Sequence, residues 1–241
     1  VPLAPAQSYN VDLIVGLPKI ETEQGDMSKV FVVVDRFSTR TWLLPTLTNV
    51  TAPLLGELFT DEICLKAGRG IPLEIISDRD PLMTSGFWRG LFKRFGTELR
   101  FTQARSQQAN GQVERMIGTI GDMLRCNINF NQRNWLELLP HIQFVLNATI
   151  KVSQGGMCPM MAEMGITPLL PIDLLSNLAP GVESGYSYKG RANVSDPVER
   201  IAAIANLRVD IRKAMLEVRE KMAEEGNRHR RQPDEQIQVG A

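Results

Sequence analysis

The run Val30-Phe-Val-Val-Val-Asp35 constrains the fold of this 241-residue chain more than any other feature. β-Branched and aromatic side chains lose rotamer freedom in a helix and suit a pleated surface, so the run reads as a strand. Two further apolar runs flank it. Val11 to Leu17 reads as a buried strand, stopped by Pro18 and a polar turn containing Gly25. Thr39 to Leu47 reads as a third strand, with Arg36-Phe-Ser-Thr39 turning the chain before it. Three successive strands with short connections predict an antiparallel meander. The pattern then changes. Thr51 to Ala67 reads as a helix with Leu54, Leu55, Leu58, Ile63 and Leu65 on its apolar side and Gly68 as its stop. Ile71 to Ser77 follows as a strand, Ser85 to Phe95 as a helix and Leu99 to Thr102 as a short strand. Strands alternating with helices after a meander predict a layered α/β domain.

Downstream the periodicity is helical. From Gly111 to about Phe130, Val113, Met116, Ile117, Ile120 and Leu124 share one face, with Asn110 as the expected N-cap and Glu114 in the first turn, near the positive end of the helix dipole. Trp135 to Ala148 reads as another helix with Leu136, Leu139, Phe144 and Val145 in the core. Thr167 to Lys189 is rich in proline, glycine and serine, the composition of a linker. From Ser195 to about Glu225, Ile201, Ile204, Ile211, Met215, Val218 and Met222 recur at spacings of three, four or seven among charges, which predicts a long amphipathic helix that packs on the core or on a partner.

Charge and cysteine usage exclude several classes. Lysine plus arginine and aspartate plus glutamate both total 27, so any nucleic-acid contact rests on local patches rather than a global basic field. The three cysteines, Cys64, Cys126 and Cys158, lack metal-ligand spacing and form no even-numbered framework; they are expected as free thiols in a core, in a reducing compartment. Two histidines, His141 and His229, are too few for a histidine-rich zinc site, and His141 beside Pro140 reads as a surface or packing residue. No apolar run reaches the roughly 18 residues of a membrane span, and the start lacks the pattern of a signal peptide. Beginning at Val1, the chain reads as part of a longer product.

Three acids stand out against this frame. Asp12 lies inside an apolar strand, Asp78 ends another, and Glu114 follows a polar, glycine-bearing loop, with 35 residues (79–113) between the last two. Converged at one sheet edge, such carboxylates repel unless cations neutralise them, and hard oxygen donors suit Mg²⁺ or Mn²⁺. Each also has an ordinary reading: Asp12 satisfied by hydrogen bonds, Asp78 opening the turn Ser77-Asp-Arg-Asp-Pro81, Glu114 as a helix N-terminal acid. Asp35 and Arg36 read as a structural pair at the turn between strands, and Asp80, before Pro81, as a turn cap.

Several motifs carry a family resemblance. Asp12-Leu-Ile-Val-Gly-Leu-Pro18, Val32-Val-Val-Asp-Arg-Phe-Ser38, Ile76-Ser-Asp-Arg-Asp-Pro81 with Thr84-Ser-Gly-Phe-Trp88, and Asn110-Gly-Gln-Val-Glu-Arg115 resemble the integrase of Gypsy-type LTR retrotransposons, in the retroviral integrase superfamily. Trp135, Leu139-Pro140, Asn147 and Cys158-Pro159 with Gly165 resemble the downstream helices of that family. The similarity covers roughly residues 9 to 231 in the family's order. It implies a ribonuclease-H-like α/β fold, a mixed five-stranded sheet flanked by helices, followed by a linker and a long C-terminal helix. The implied boundaries are a catalytic core at 1–166, a linker at 167–194, the amphipathic helix at 195–231 and the truncated start of a C-terminal small barrel at 232–241. The loop Ser106-Gln-Gln-Ala-Asn-Gly-Gln112 departs from the family's usual His-Pro-Gln-Thr-Asp-Gly-Gln, and Gly118 and Gly121 stand where related enzymes place polar or basic side chains.

The resemblance further implies a catalytic and metal site of Asp12, Asp78 and Glu114 holding Mg²⁺ or Mn²⁺, acting in 3′-end processing and DNA strand transfer as part of a Pol polyprotein. Element-end DNA and target DNA are the expected partners, with at least a dimer of the chain, no membrane, and the nucleus as site of action after particle assembly in the cytoplasm. Arg79, Arg105, Gln107, Gln108, Asn110, Gln112 and Arg115 are the DNA-binding candidates, and Lys93, Arg94 and Arg100 lie in the same stretches. Two other functions fit the sequence: a host-recruited DNA-binding or oligomerisation module, and a ribonuclease-H-like nuclease that hydrolyses without joining.

Overall fold

The computed structural model of the chain describes residues 2–102, 107–130, 132–151, 154–165 and the helical positions 206, 208–214, 216–217, 220–221 and 224; for 107–114 it describes backbone alone. The expected linker at 167–194 and the expected barrel start at 232–241 lie outside these residues.

The sheet is built around β3 (Gly25–Asp35). It pairs antiparallel with β1 (Ser8–Ile14) on one side and with β4 (Thr41–Leu47) on the other, which is the predicted meander. β2 (Ile20–Thr22) closes a hairpin onto the start of β3. β5 (Glu74–Ser77) then pairs parallel with β1, and β6 (Glu98–Phe101) parallel with β5. Parallel neighbours need crossover connections, and the helices supply them. One is α1 (Ala52–Phe59), which continues as a π-helical stretch, Thr60–Lys66; the other is α2 (Gly86–Phe95). The mixed sheet therefore has six strands, one more than expected, because a three-residue strand such as β2 carries too short a pattern to read.

Val30 to Val34 has no solvent exposure at any position, since both faces of β3 are covered. On one face Tyr9, Val11, Phe31, Val33 and Ile75 meet Leu55, Phe59, Trp88 and Phe92 of α1 and α2. On the other, Val30, Val32 and Val34 meet α3 (Gln107–Asn127) through Met116, Ile120 and Leu124, and α4 (Trp135–Ala148) through Trp135, Leu139, Ile142 and Leu146. An unbroken valine run is what a strand buried on two faces requires. Where α1 crosses α2 the backbones approach closely, and a Cβ at Gly56 would stand 2.7 Å from the Leu91 side chain.

Several boundaries differ from the sequence reading. β1 begins at Ser8 and stops at Ile14, because Ser8 to Asn10 find partners on β5 while Gly16 turns the chain at φ +81. Phe144 and Val145 are 36% and 46% exposed rather than core. In α4 apolar residues lie on more than one side, and the large buried ones follow the 135, 139, 142, 146 spacing instead. Cys64 and Cys158 are buried free thiols as expected, but Cys126 is exposed. The C-terminal helical stretch packs on the core: Ile211 is buried against Phe37 and Ala162.

Polar side chains fix how these layers meet. Asp35, fully buried, accepts the Ala6, Phe37 and Ser38 amides and the Ser38 hydroxyl, so it closes the β3–β4 turn as a structural residue. Arg36 donates to Glu74 at 2.6 Å. From α4, Gln143 accepts the Leu43 amide, while Asn147 accepts the Thr41 amide at 2.8 Å and donates to the Thr41 carbonyl at 2.7 Å. Glu163 of α5 (Pro159–Met164) is buried between Arg69, 3.0 Å away, and Arg40, 3.6 Å away. Burial pushes its carboxyl up to about 7, with both arginines pulling the other way.

Two stability measurements follow from these contacts. Asn147→Ala strands both Thr41 backbone groups, and urea unfolding should show a loss of about 2–3 kcal/mol. For Glu163 the folded carboxyl holds its proton to higher pH than the unfolded one, so its contribution is complete below the unfolded value and declines as pH rises towards about 7. Unfolding of wild type and Glu163→Gln across pH 5 to 8 should show wild type losing stability relative to the variant as pH increases.

Candidate active site

β1 and β5 bring two of the three acids to one place. Their register runs Ser8↔Glu74, Tyr9↔Ile75, Asn10↔Ile76, Val11↔Ser77, and Asp12 and Asp78 are the next residue on each chain. Adjacent strands lie roughly 4.8 Å apart, so the two aspartates leave the paired strands side by side. Side chains alternate between faces along a strand. Val11 and Ile75 belong to the α1–α2 face, whereas Ile14 packs with the α3–α4 side. Asp12, in register with Val32 of β3, therefore lies on the face that α3 covers, and the same alternation carries Asp78 there from Ile76.

Both aspartates are half-buried and held by local backbone. Asp12 Oδ1 accepts the Leu13 amide at 2.7 Å, and Asp78 Oδ1 accepts the Asp80 amide at 3.0 Å. Asp80 in turn accepts the Leu82 amide at 2.8 Å, which makes it the turn cap its place before Pro81 suggested. The turn role of Asp78 is thus real, and the Asp80 amide orients its carboxylate.

Glu114 lies on α3, which packs across β1 on this face. The helix starts at Gln107, so Asn110 is inside it and not its N-cap, and Glu114 is its eighth residue with no acid in the first turn. Gln107, Gln108 and Ala109 are good helix formers that extend the helix upstream of Gly111, and the dipole argument for Glu114 lapses with them. Its side chain lies outside the described residues. Among the described residues no group of three or more histidine, cysteine or acidic side chains forms a metal cluster.

Of the DNA-binding candidates, Arg79 and Arg115 are exposed, Arg79 next to Asp78 and Arg115 next to Glu114. Arg115 borders a groove of about 390 Å³ between α3 and α4 that Met116, Met123, Leu146 and Lys151 also line. Gln107, Gln108, Asn110 and Gln112 fall on the first turns of α3, their side chains outside the description, and Arg105 lies outside it altogether. Lys93 and Arg94 are exposed at the end of α2, and Arg100 is drawn into ion pairs with Glu74 and Glu98. His141 is exposed, as its sequence setting implied. One residue that its sequence context does not single out is Asn10: it is 1% exposed, lies two places before Asp12 on the same face, and neither atom of its carboxamide has a hydrogen-bond partner.

A mixed sheet with two aspartates at the end of its central parallel pair, and a long helix across them, is the arrangement of a ribonuclease-H-like integrase core. A chain of the simian T-cell lymphotropic virus intasome, solved in complex with the PP2A regulatory subunit B56 gamma, matches with a TM-score of 0.50 at 16% identity, covering 70% of this chain and 58% of that one. The HTLV-2 integrase catalytic core domain in complex with magnesium gives 0.48 at 18% identity, over 67% of this chain and 98% of that one. No protein-family model matches. In sequence, the Tf2-3 and Tf2-4 transposon polyproteins of Schizosaccharomyces pombe are each 30% identical over 173 residues, 71% of this chain. The chain belongs to the integrase catalytic cores of LTR retrotransposons. It spans 12% of the length of the curated relatives it matches.

Proposed function

We propose that the chain is the strand-transferring core of a retrotransposon integrase, with Asp12, Asp78 and Glu114 as its metal-holding and catalytic acids. The observation that supports this most is the β1–β5 register, which sets Asp12 beside Asp78 on the face that α3 crosses with Glu114 in its sequence. The donor set fits a divalent cation: hard carboxylate oxygens at a sheet edge, half-buried, with the Asp78 carboxylate oriented by a backbone amide. Mg²⁺ or Mn²⁺ held there would polarise a scissile phosphodiester and lower the cost of forming an oxygen nucleophile.

The chain's own residues do the rest. Asp12 and Asp78 hold one side of the site in fixed geometry, and Glu114 completes it from α3. Arg79 and Arg115 meet backbone phosphates, together with Arg105, Gln107, Gln108, Asn110 and Gln112 around the turn into the helix. In the first reaction water attacks a phosphodiester near the end of element DNA and frees a 3′ hydroxyl. In the second that hydroxyl attacks a target phosphodiester, joining the strands as the target's own 3′ oxygen leaves. Copies of the chain act together on the two DNA ends, at least as a dimer, in the nucleus, as a portion of a transposon polyprotein.

Calorimetric titration with Mn²⁺ should show binding by wild type and its loss in Asp78→Asn; equal binding by both would refute the site. On element-end DNA the wild-type core with its flanking domains should yield branched joined products, and Glu114→Gln should lower joining on the order of a thousandfold. Cleavage without branched products would favour the nuclease reading, and DNA binding with no reaction would favour a host-recruited module.

A further inference from the structure

Asn10 opposes its surroundings. It sits in β1 between Val34 of β3 and Ile76 of β5, on the face that Met116, Ile120 and Leu124 of α3 cover. Asparagine is depleted in strands, and the buried β3 positions on the same face, Val30, Val32 and Val34, are all valine. Yet the carboxamide is buried with its oxygen and its nitrogen both unpartnered. A valine or leucine would suit this place better on every local ground. Residues that break local preference without a structural gain mark functional sites.

Position gives the function. Asn10 and Asp12 share a face of one strand, two residues and roughly 7 Å apart along it, and side chains in strands lean along the strand direction. Asp12 is the one acid of β1, on the same face as Asn10. A carboxylate has about four acceptor sites, and the Leu13 amide takes one of them on Asp12 Oδ1. Carboxylates that ligate a cation are themselves held by hydrogen bonds from residues behind them, and those partners tune affinity. The chemical type matters too. An amide donates without adding negative charge to a place that already gathers acids, and it does not compete for the cation as a further carboxylate would.

We propose that Asn10 is a positioning residue for the cation site: its Nδ2–H donates to the Asp12 carboxylate when a divalent ion is held between Asp12 and Asp78, fixing that carboxylate in its ligating orientation. The inference rests on the reading of Asp12 and Asp78 as cation ligands. An unpartnered buried carboxamide costs β1 stability, and a hydrogen bond to Asp12 would offset that cost. Stability and affinity therefore pull against each other at this position, which a plain packing role would not produce.

The test uses Asn10→Leu, which keeps the branched shape of the side chain and removes the donor, with Asp12→Asn as control. Thermal melting in chelator and Mn²⁺ titration calorimetry are measured on the same preparations. Asn10→Leu is expected to melt at or above the wild-type temperature without ion and to bind Mn²⁺ about tenfold more weakly. Asp12→Asn is expected to lose binding. Wild-type affinity in Asn10→Leu overturns the proposal, and so does a fall in affinity accompanied by a lower ion-free melting temperature. Wild-type affinity in Asp12→Asn would remove the cation site itself, an outcome told apart because it appears in the control.

Discussion

Parallel pairing between β1 and β5 is the contact on which the site depends. A slip of one residue would turn Asp12 and Asp78 to opposite faces, because side chains alternate along each strand. The register is held at its far end by side chains as well as by the ladder. Ser8, paired with Glu74 in the sheet, also donates its hydroxyl to the Glu74 carboxylate, and Arg36 from the β3–β4 turn donates to the same oxygen. β1 is then fixed from its other side by six antiparallel partners on β3, Tyr9↔Asp35 to Ile14↔Val30. The acidic edge thus inherits its geometry from a locked pair of strands rather than from a loop.

Burial of β3 on both faces makes the rest of the architecture follow. Helices must lie above and below it, and the chain places α1 and α2 on one side, α3 and α4 on the other. Arginines serve this scaffold as much as they serve any ligand. Arg36 and Arg100 share Glu74, while Arg40 and Arg69 flank Glu163, so these four arginines are committed to acids of the scaffold. Exposed Arg79, Lys93, Arg94 and Arg115 remain near the acidic edge or on the elements around it.

Much of this was legible in the residues, and the failures have physical causes. The Val30–Val34 strand, the meander and the alternation that follows were readable because β-branched runs and helical spacing are strong local signals. Ser8 and Asn10 concealed the true start of β1, since polar residues in a buried strand break the pattern that announces it. The upstream start of α3 was missed because Asn110 before Gly111 reads as an N-cap, whereas a glycine inside a long helix costs only about 1 kcal/mol and packing against β1 outweighs it. Asp12 and Asp78 were found as a pair through motif resemblance; their adjacency comes from a register that no spacing of 65 intervening residues (13–77) encodes. Asn10 carried no motif at all, and only its burial without partners sets it apart.

The side chains that α4 lends to β4 shape how copies of the chain can meet. Gln143 and Asn147 occupy backbone groups of Leu43 and Thr41 on the outer strand, so a second molecule cannot continue the hydrogen-bond ladder there without first undoing those contacts. At the opposite margin β6 offers four residues, two of them the charged Glu98 and Arg100, a short and salted border that discourages strand addition. Strand addition is thereby disfavoured at both margins, while Phe144 and Val145 stand exposed on α4.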